Sequence, residues 1–193
     1  MRRLLWILLL ALPLSVPSAE ATPITYTVTG IASGALGASA FTNALVTVAL
    51  VGDTAFVGND SGSATVTVSG VGTAAFTDTM VVTDNFDNPS AQISDFTLDR
   101  LVFGTVAAAF ATYDRRGPIG PIVGTALINP GSLFPTTLGN FDMVSVSGNT
   151  STFTATTAVP EPASLLLLAV GLVAVGARVG RSGVPRPSHD TTV

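Results

Sequence analysis

The chain has no cysteine and no lysine, and its single histidine, His189, stands close to the C-terminus. Without cysteine there is no disulfide scaffold, no thiolate zinc site and no cysteine nucleophile. Charge is scarce too: Asp, Glu, Lys and Arg make up 10% of 193 residues, against about 25% in an ordinary soluble domain. Between Thr22 and Ala158 stand nine aspartates, no glutamate, and only Arg100, Arg115 and Arg116 to balance them. That acidic balance argues against a phosphate-binding surface, so no nucleic-acid partner is expected. The same stretch offers no histidine, cysteine or lysine as general base or nucleophile, which removes a serine triad. The expectation is a protein that is not an enzyme and carries no cofactor. Aspartates alone can cleave glycosides, so an aspartate-dependent glycosidase stays open as the catalytic alternative.

What the chain does have is concentrated at its ends. It begins MRRLLWILLLALPLSVPSAEA, with Arg2 and Arg3 ahead of nine apolar residues, Leu4 to Leu12, and the small-residue site Ala19-Glu20-Ala21. That order is the anatomy of a secretory signal peptide over residues 1–21, and nine apolar residues fall short of the about 20 that span a bilayer. Near the other end, residues 163–177 carry no charge and are apolar all round. Fifteen helical residues cover roughly 22 Å, which snorkelling and local thinning extend toward a hydrocarbon core of about 30 Å. Pro160 and Pro162 stop a helix from continuing upstream, so a single transmembrane helix over 163–177 is expected. Arg178, Arg181 and Arg186 follow it, and only Glu161 stands just before it. The positive-inside rule places the tail 182–193 in the cytoplasm and residues 22–158 outside. The N-terminal signal, acting through the Sec translocon, gives the same topology.

Val159-Pro160-Glu161-Pro162, then a short apolar helix, then the flanking Arg178 and Arg181, resembles the PEP-CTERM sorting signal of exported proteins in Gram-negative bacteria. The resemblance covers residues 159–181 and the signal peptide that such proteins also carry. It implies exosortase, a membrane-embedded cysteine transpeptidase, as partner. It also implies transient membrane anchoring, cleavage near Pro160 to Pro162, and release or transfer to the cell surface. Similar proteins often accompany exopolysaccharide and biofilm production, so an extracellular polysaccharide is a further expected partner. The two prolines suit such a site physically, because they hold the backbone extended and free of helix. The tail SGVPRPSHDTTV departs from the family, which usually stops soon after its arginines.

The middle, residues 22–158, reads as strands. In ITYTVTG, Tyr26 and Val28 share one face, while Thr25, Thr27 and Thr29 share the other. ATVTVSG and STFTATT repeat the pattern, and strict apolar–hydroxyl alternation marks half-buried antiparallel strands. GNDSG, DNFDNPS, DRRGPIGP and NPGS are turn chemistry. The expected fold is an all-β, antiparallel β-sandwich of jelly-roll type. An outer-membrane barrel is the rival, disfavoured by the separate helical anchor. ALVTVALVGDTAF from Ala44 lines up with ATVTVSGVGTAAF from Ala64, which two copies explain as successive strand units rather than a solenoid.

Other motifs read more weakly. GVGTAA from Gly70 matches a dinucleotide pattern but precedes strand-like FTDTMVVT, so it is a glycine turn. Asp84-Asn85-Phe86-Asp87-Asn88 and Asn59-Asp60 hold oxygen ligands without EF-hand spacing, which favours Asx turns over calcium. Arg115-Arg116 reads as an exposed loop. Tyr26 and Tyr113 are the only Trp or Tyr residues beyond the signal peptide, so a carbohydrate-binding module, the non-catalytic alternative, would need one of them as its platform. The expected role is structural or adhesive, at the cell surface or in the extracellular matrix.

Overall fold

The structure is a computed structural model that describes residues 22–54, 60–85 and 88–158. The expected signal peptide (1–21), the sorting segment (159–181) with its helix over 163–177, and the tail (182–193) lie outside the described residues. Eleven strands follow one another: β1 (Pro23–Leu36), β2 (Ser39–Asp53), β3 (Asp60–Val68), β4 (Gly72–Ala75), β5 (Met80–Asn85) and β6 (Ser90–Asp95) come first. They continue as β7 (Arg100–Val106), β8 (Ile119–Leu127), β9 (Phe134–Thr136), β10 (Gly139–Val146) and β11 (Thr150–Thr157). Two short 3₁₀ turns, Ala108–Thr112 and Ser147–Asn149, are the remaining elements among the described residues.

The all-β expectation holds, but the sandwich does not. Antiparallel pairing runs β1–β2–β3–β5–β6–β7–β8–β11, and β11 then pairs back onto β1, from Ile24 opposite Thr157 to Thr29 opposite Thr152. The first and last strands thus close an eight-stranded antiparallel barrel with no free edge on that ring. The physical reason lies in β1 and β2, which are 14 and 15 residues long. A strand that long can serve two neighbours in succession. β1 passes from β11, its partner as far as Thr29, to β10, whose pairing runs from Ala32–Val146 to Leu36–Phe141 with a bulge inside it between Ser33 and Gly34. Bulges of this kind bend a strand and sharpen its twist.

Beyond the bulge the same strands form a smaller ring. β4 pairs with β3, β9 with β10, and the bridge between Phe76 and Thr136 ties the end of β4 back to β9. Thr77 N–H donates to Pro135 O at 3.1 Å, and Thr137 N–H donates to Ala75 O at 2.8 Å, sealing that closure. The hairpin joining β1 to β2 turns through Gly37 and Ala38, and Gly37 takes φ +60°, the conformation a tight two-residue turn asks of its first residue.

Each ring is filled by side chains, as expected for a barrel of eight strands. Tyr26, Val28, Leu50, Val82, Ile93, Phe103 and Phe153 are fully buried in the large ring. Burial of side chains this size contributes about 1.5–3 kcal/mol each relative to exposure. Phe41, Phe76 and Phe141 fill the smaller ring, with Phe41 stacked on Phe141 at 6.4 Å and Phe76 edge-on to it at 6.1 Å. The alternation read from ITYTVTG is realised: Tyr26 and Val28 point in, and the threonines point out. Across β11, β1, β2, β3 and β4, the residues Thr152, Thr29, Thr47, Thr67 and Thr73 stand side by side in one outward row. Apolar inside and hydroxyl outside is the inverse of a lipid-facing barrel. The echo at offset twenty proves to be β2 against β3–β4, with Val46 paired to Val68 and Val48 to Val66.

One pole of the large ring carries both ends of the domain. Ala158 N–H donates to Pro23 O at 3.0 Å, and Thr54 N–H donates to Thr22 O at 3.1 Å. The connection between β7 and β8 folds over this pole and inserts Phe110 and Tyr113, which pack edge-on against Phe153 at 5.3 and 6.1 Å. Arg115 holds the connection down: its Nη1 donates to Val82 O at 2.9 Å, its Nε lies 3.5 Å from Asp84 Oδ1, and its carbonyl accepts from Tyr26 Oη at 2.6 Å. Arg115 adopts φ +64°, a conformation that costs a non-glycine residue and is held here by those three contacts.

Candidate functional site

The residues singled out for sorting, Val159, Pro160, Glu161, Pro162, Arg178 and Arg181, lie outside the described residues. What the structure adds to them is their starting point. β11 ends at Thr157, Ala158 is bonded to Pro23, and Val159 is the next residue along the chain.

The other candidate residues fall into place as structure. Arg115 is not a free loop cation but the latch of the pole, paired with Asp84; Arg116 beside it is exposed. Asp84 is therefore engaged with a cation, and Asn85 Oδ1 accepts from Asn88 N–H at 3.2 Å, an Asx turn. Phe86, Asp87 and Asn59 lie outside the described residues. No cluster of three or more metal-ligating side chains occurs among the described residues. GVGTAA forms a turn and the short strand β4 rather than a helix start, with Gly70 at φ +80°.

Tyr26 and Tyr113 cannot act as sugar platforms. Tyr26 is fully buried in the barrel, and Tyr113, which the β7–β8 connection inserts into the pole, is 6% exposed. Seven of the eight phenylalanines among the described residues are buried as well, and Phe96 is the exception at 62% exposure. It projects from the turn between β6 and β7, where Asp95 Oδ1 accepts from Thr97 N–H at 2.8 Å and Leu98 N–H at 2.9 Å. That Asx turn fixes the loop and leaves Phe96 facing water.

Beside Phe96 the outer face of β5, β6 and β7 holds an open groove of about 430 Å³. Thr83 from β5, Gln92 and Ser94 from β6, Asp99 from the turn and Arg100 at the start of β7 contribute polar groups to it. Thr83 Oγ1 and Ser94 Oγ sit 3.4 Å apart on its floor. Cross-strand register explains the grouping, because Thr83 faces Gln92 on β6 and Ser94 faces Leu101 on β7, with all four side chains outward. Arg100 forms no ion pair among the described residues. Asp95 is completely buried at the groove's edge.

Asp78, in the link from β4 to β5, stands against Asp95. Desolvation, the Asp95 charge and a hydrogen bond to its carboxyl together raise the Asp78 carboxyl above its ordinary range.

Sequence reasoning missed the groove and its residues. The signal was present in Asp95-Phe96-Thr97-Leu98-Asp99, where two large apolar residues occupy a turn bounded by aspartates. Turn positions of that kind favour small polar residues, so an exposed Phe there is out of keeping with a purely structural loop.

Residues 158–182 match the PEP-CTERM protein-sorting motif. The chain thus carries the sorting signal of an exosortase substrate, which implies an exported protein that is membrane-anchored before processing. No curated protein and no solved structure matches the chain.

Proposed function

We propose that this protein is a non-catalytic structural or adhesive component of the cell surface or extracellular matrix, delivered there by exosortase and associated with exopolysaccharide in a biofilm. The observation that carries the reading is the junction. The barrel is complete at Ala158, and the sorting motif begins at that residue with no spacer between them. A domain joined so directly to a sorting signal is cargo for it. In this reading residues 1–21 are removed on export, the helix over 163–177 anchors the chain, and Arg178 and Arg181 hold its cytoplasmic end. Val159 to Pro162 is the processed segment, and the tail 182–193 stays inside.

A body packed with side chains offers its outside to partners, and here that outside is rich in threonine and poor in charge. It suits contact with a hydrated, hydroxyl-bearing matrix.

Deletion of residues 159–193 is the direct test. The truncated protein should pass into the soluble exported fraction, while the full chain should be found anchored and then shortened in cells that contain exosortase. Replacement of Pro160 and Pro162 by alanine should leave the chain anchored and uncut. A truncated protein that still pellets with membranes, or a double-alanine variant processed at the normal rate, would rule the reading out.

A further inference from the structure

We infer that the groove beside Phe96 is a binding subsite for a neutral sugar residue of an extracellular glycan. The inference deepens the matrix role proposed above and rests on it for where the ligand is met; the chemistry of the groove stands independently.

A pyranose has two kinds of surface, flat patches of C–H bonds and a rim of hydroxyls, each able to donate and to accept. The groove provides a counterpart to both. Phe96 is 62% exposed, and an exposed aromatic ring attracts C–H groups through its negative quadrupole and their shared burial. Around it, Gln92 and Arg100 donate, Asp99 accepts, and Ser94 and Thr83 do either. Four of these side chains rise from strands or the first residue of a strand, so their positions are set by the barrel wall and not by a mobile loop. A volume of about 430 Å³ falls in the ordinary range of small-ligand sites, roughly 300–1,000 Å³.

The charge balance selects the class of ligand. Asp95 and Asp99 face one cation, Arg100, and Asp78 stands behind Asp95. A uronate, a phosphate or a nucleotide would meet net negative charge, whereas a neutral polyol can donate to the carboxylates and accept from Arg100 without that penalty. A purely apolar peptide would satisfy Phe96 and leave the polar groups dry and unpaired.

The test uses the full chain in mild detergent, titrated calorimetrically with neutral tetrasaccharides of β-linked glucose, mannose and galactose, and with a tetrasaccharide of glucuronic acid. Saturable binding of at least one neutral probe is expected, with Phe96→Ala and Gln92→Ala each weakening it about tenfold. Thermal melts of both variants should match the parent, because Phe96 is exposed and Gln92 faces outward. Failure of every neutral probe to saturate at millimolar concentration overturns the inference. So does binding unchanged in Phe96→Ala, or tighter binding of the glucuronate. Fractionating cells that express Phe96→Ala keeps the two proposals apart. This variant should be anchored and processed normally even where it has lost sugar binding, whereas failure of sorting in the unaltered chain strikes the matrix role alone.

Discussion

Replacement of Phe153 by alanine measures whether the barrel is held together at its closing seam. Phe153 lies on β11, directly opposite Val28 of β1, and is fully buried. Its ring meets Phe110 edge-on at 5.3 Å, Tyr113 at 6.1 Å and Tyr26 at 6.4 Å, so one side chain joins the seam, the polar cap and the barrel wall. Truncation of a buried phenylalanine costs about 3–5 kcal/mol, combining lost transfer energy with the cavity that remains. A domain of this length has an unfolding entropy of about 0.3 kcal/mol/K near its midpoint, which converts that cost into a Tm drop of roughly 10–17 °C. Domains of this kind have a total stability of about 5–15 kcal/mol, so the variant should be folded but marginal. Far-ultraviolet circular dichroism through a thermal ramp reads the shift, and a urea titration with unchanged slope shows that stability and not denatured-state compactness has moved. Phe96→Ala is the internal control and should lie within about 0.5 kcal/mol of the parent. A Phe153→Ala loss below about 1 kcal/mol, or one equal to that of Phe96→Ala, would refute the packing and closure described here.

Three further perturbations test separate parts of the structure. Arg115→Ala removes the counter-charge of Asp84, whose side chain is 9% exposed, and the hydrogen bond to Val82 O; it should cost about 1–3 kcal/mol of unfolding free energy in a urea titration, with part recovered in the Asp84→Asn double variant. Strict additivity of the two changes would show that the latch is not a coupled pair. Asp78 is raised by desolvation and by Asp95, so the folded chain binds its proton at higher pH than the unfolded chain does. The stability tied to that proton is present below the ordinary carboxylate value of about 4 and is lost as pH rises through the raised value. Asp78→Asn should therefore melt higher than the parent at neutral pH, with the gap narrowing on acidification; a gap independent of pH would contradict the pairing. A Cβ on Gly124 would lie 2.0 Å from Val106 O, so Gly124→Val should force β7 from β8 and leave the protein unfolded or aggregated on expression, and a variant melting like the parent would show that the strands can part there.

The strands were legible in the sequence because each one carries its own evidence. ITYTVTG alternates residue by residue, and the inward set of Tyr26 and Val28 can be read without knowing what lies opposite. The same alternation is produced by a sandwich and by a barrel, so the architecture was not legible. It depends on whether the first and last strands meet, here Thr27 with Thr154, residues separated by almost the whole domain. Nothing local in either segment names the other as its partner. The double use of β1 was hidden for a related reason: Ser33-Gly34 looks like a turn in sequence, yet it is a bulge through which the strand continues. Gly34 is required there by close approach, since a Cβ would lie 2.0 Å from Asp142 O. The groove was invisible because its members come from three strands and a turn, and only the register gathers Thr83, Gln92 and Ser94 onto one face. By contrast, the sorting motif is contiguous and owes nothing to folding, and so it could be recognised directly.

Closure by the first and last strands also connects the fold to the route by which the protein leaves the cell. During export from the N-terminus, β1 emerges first and has only β2 for a partner along its near half until β11 arrives. The seam from Ile24–Thr157 to Thr29–Thr152 cannot form before Thr157 has crossed. Such long-range pairing is slow, because the entropy of closing the loop is spent before the contacts are gained. Throughout that interval the Thr25, Thr27 and Thr29 edge of β1 is an open template for other strands. The residues that follow Thr157 are those of the sorting motif, so the chain presents its anchor immediately after the strand that completes the barrel.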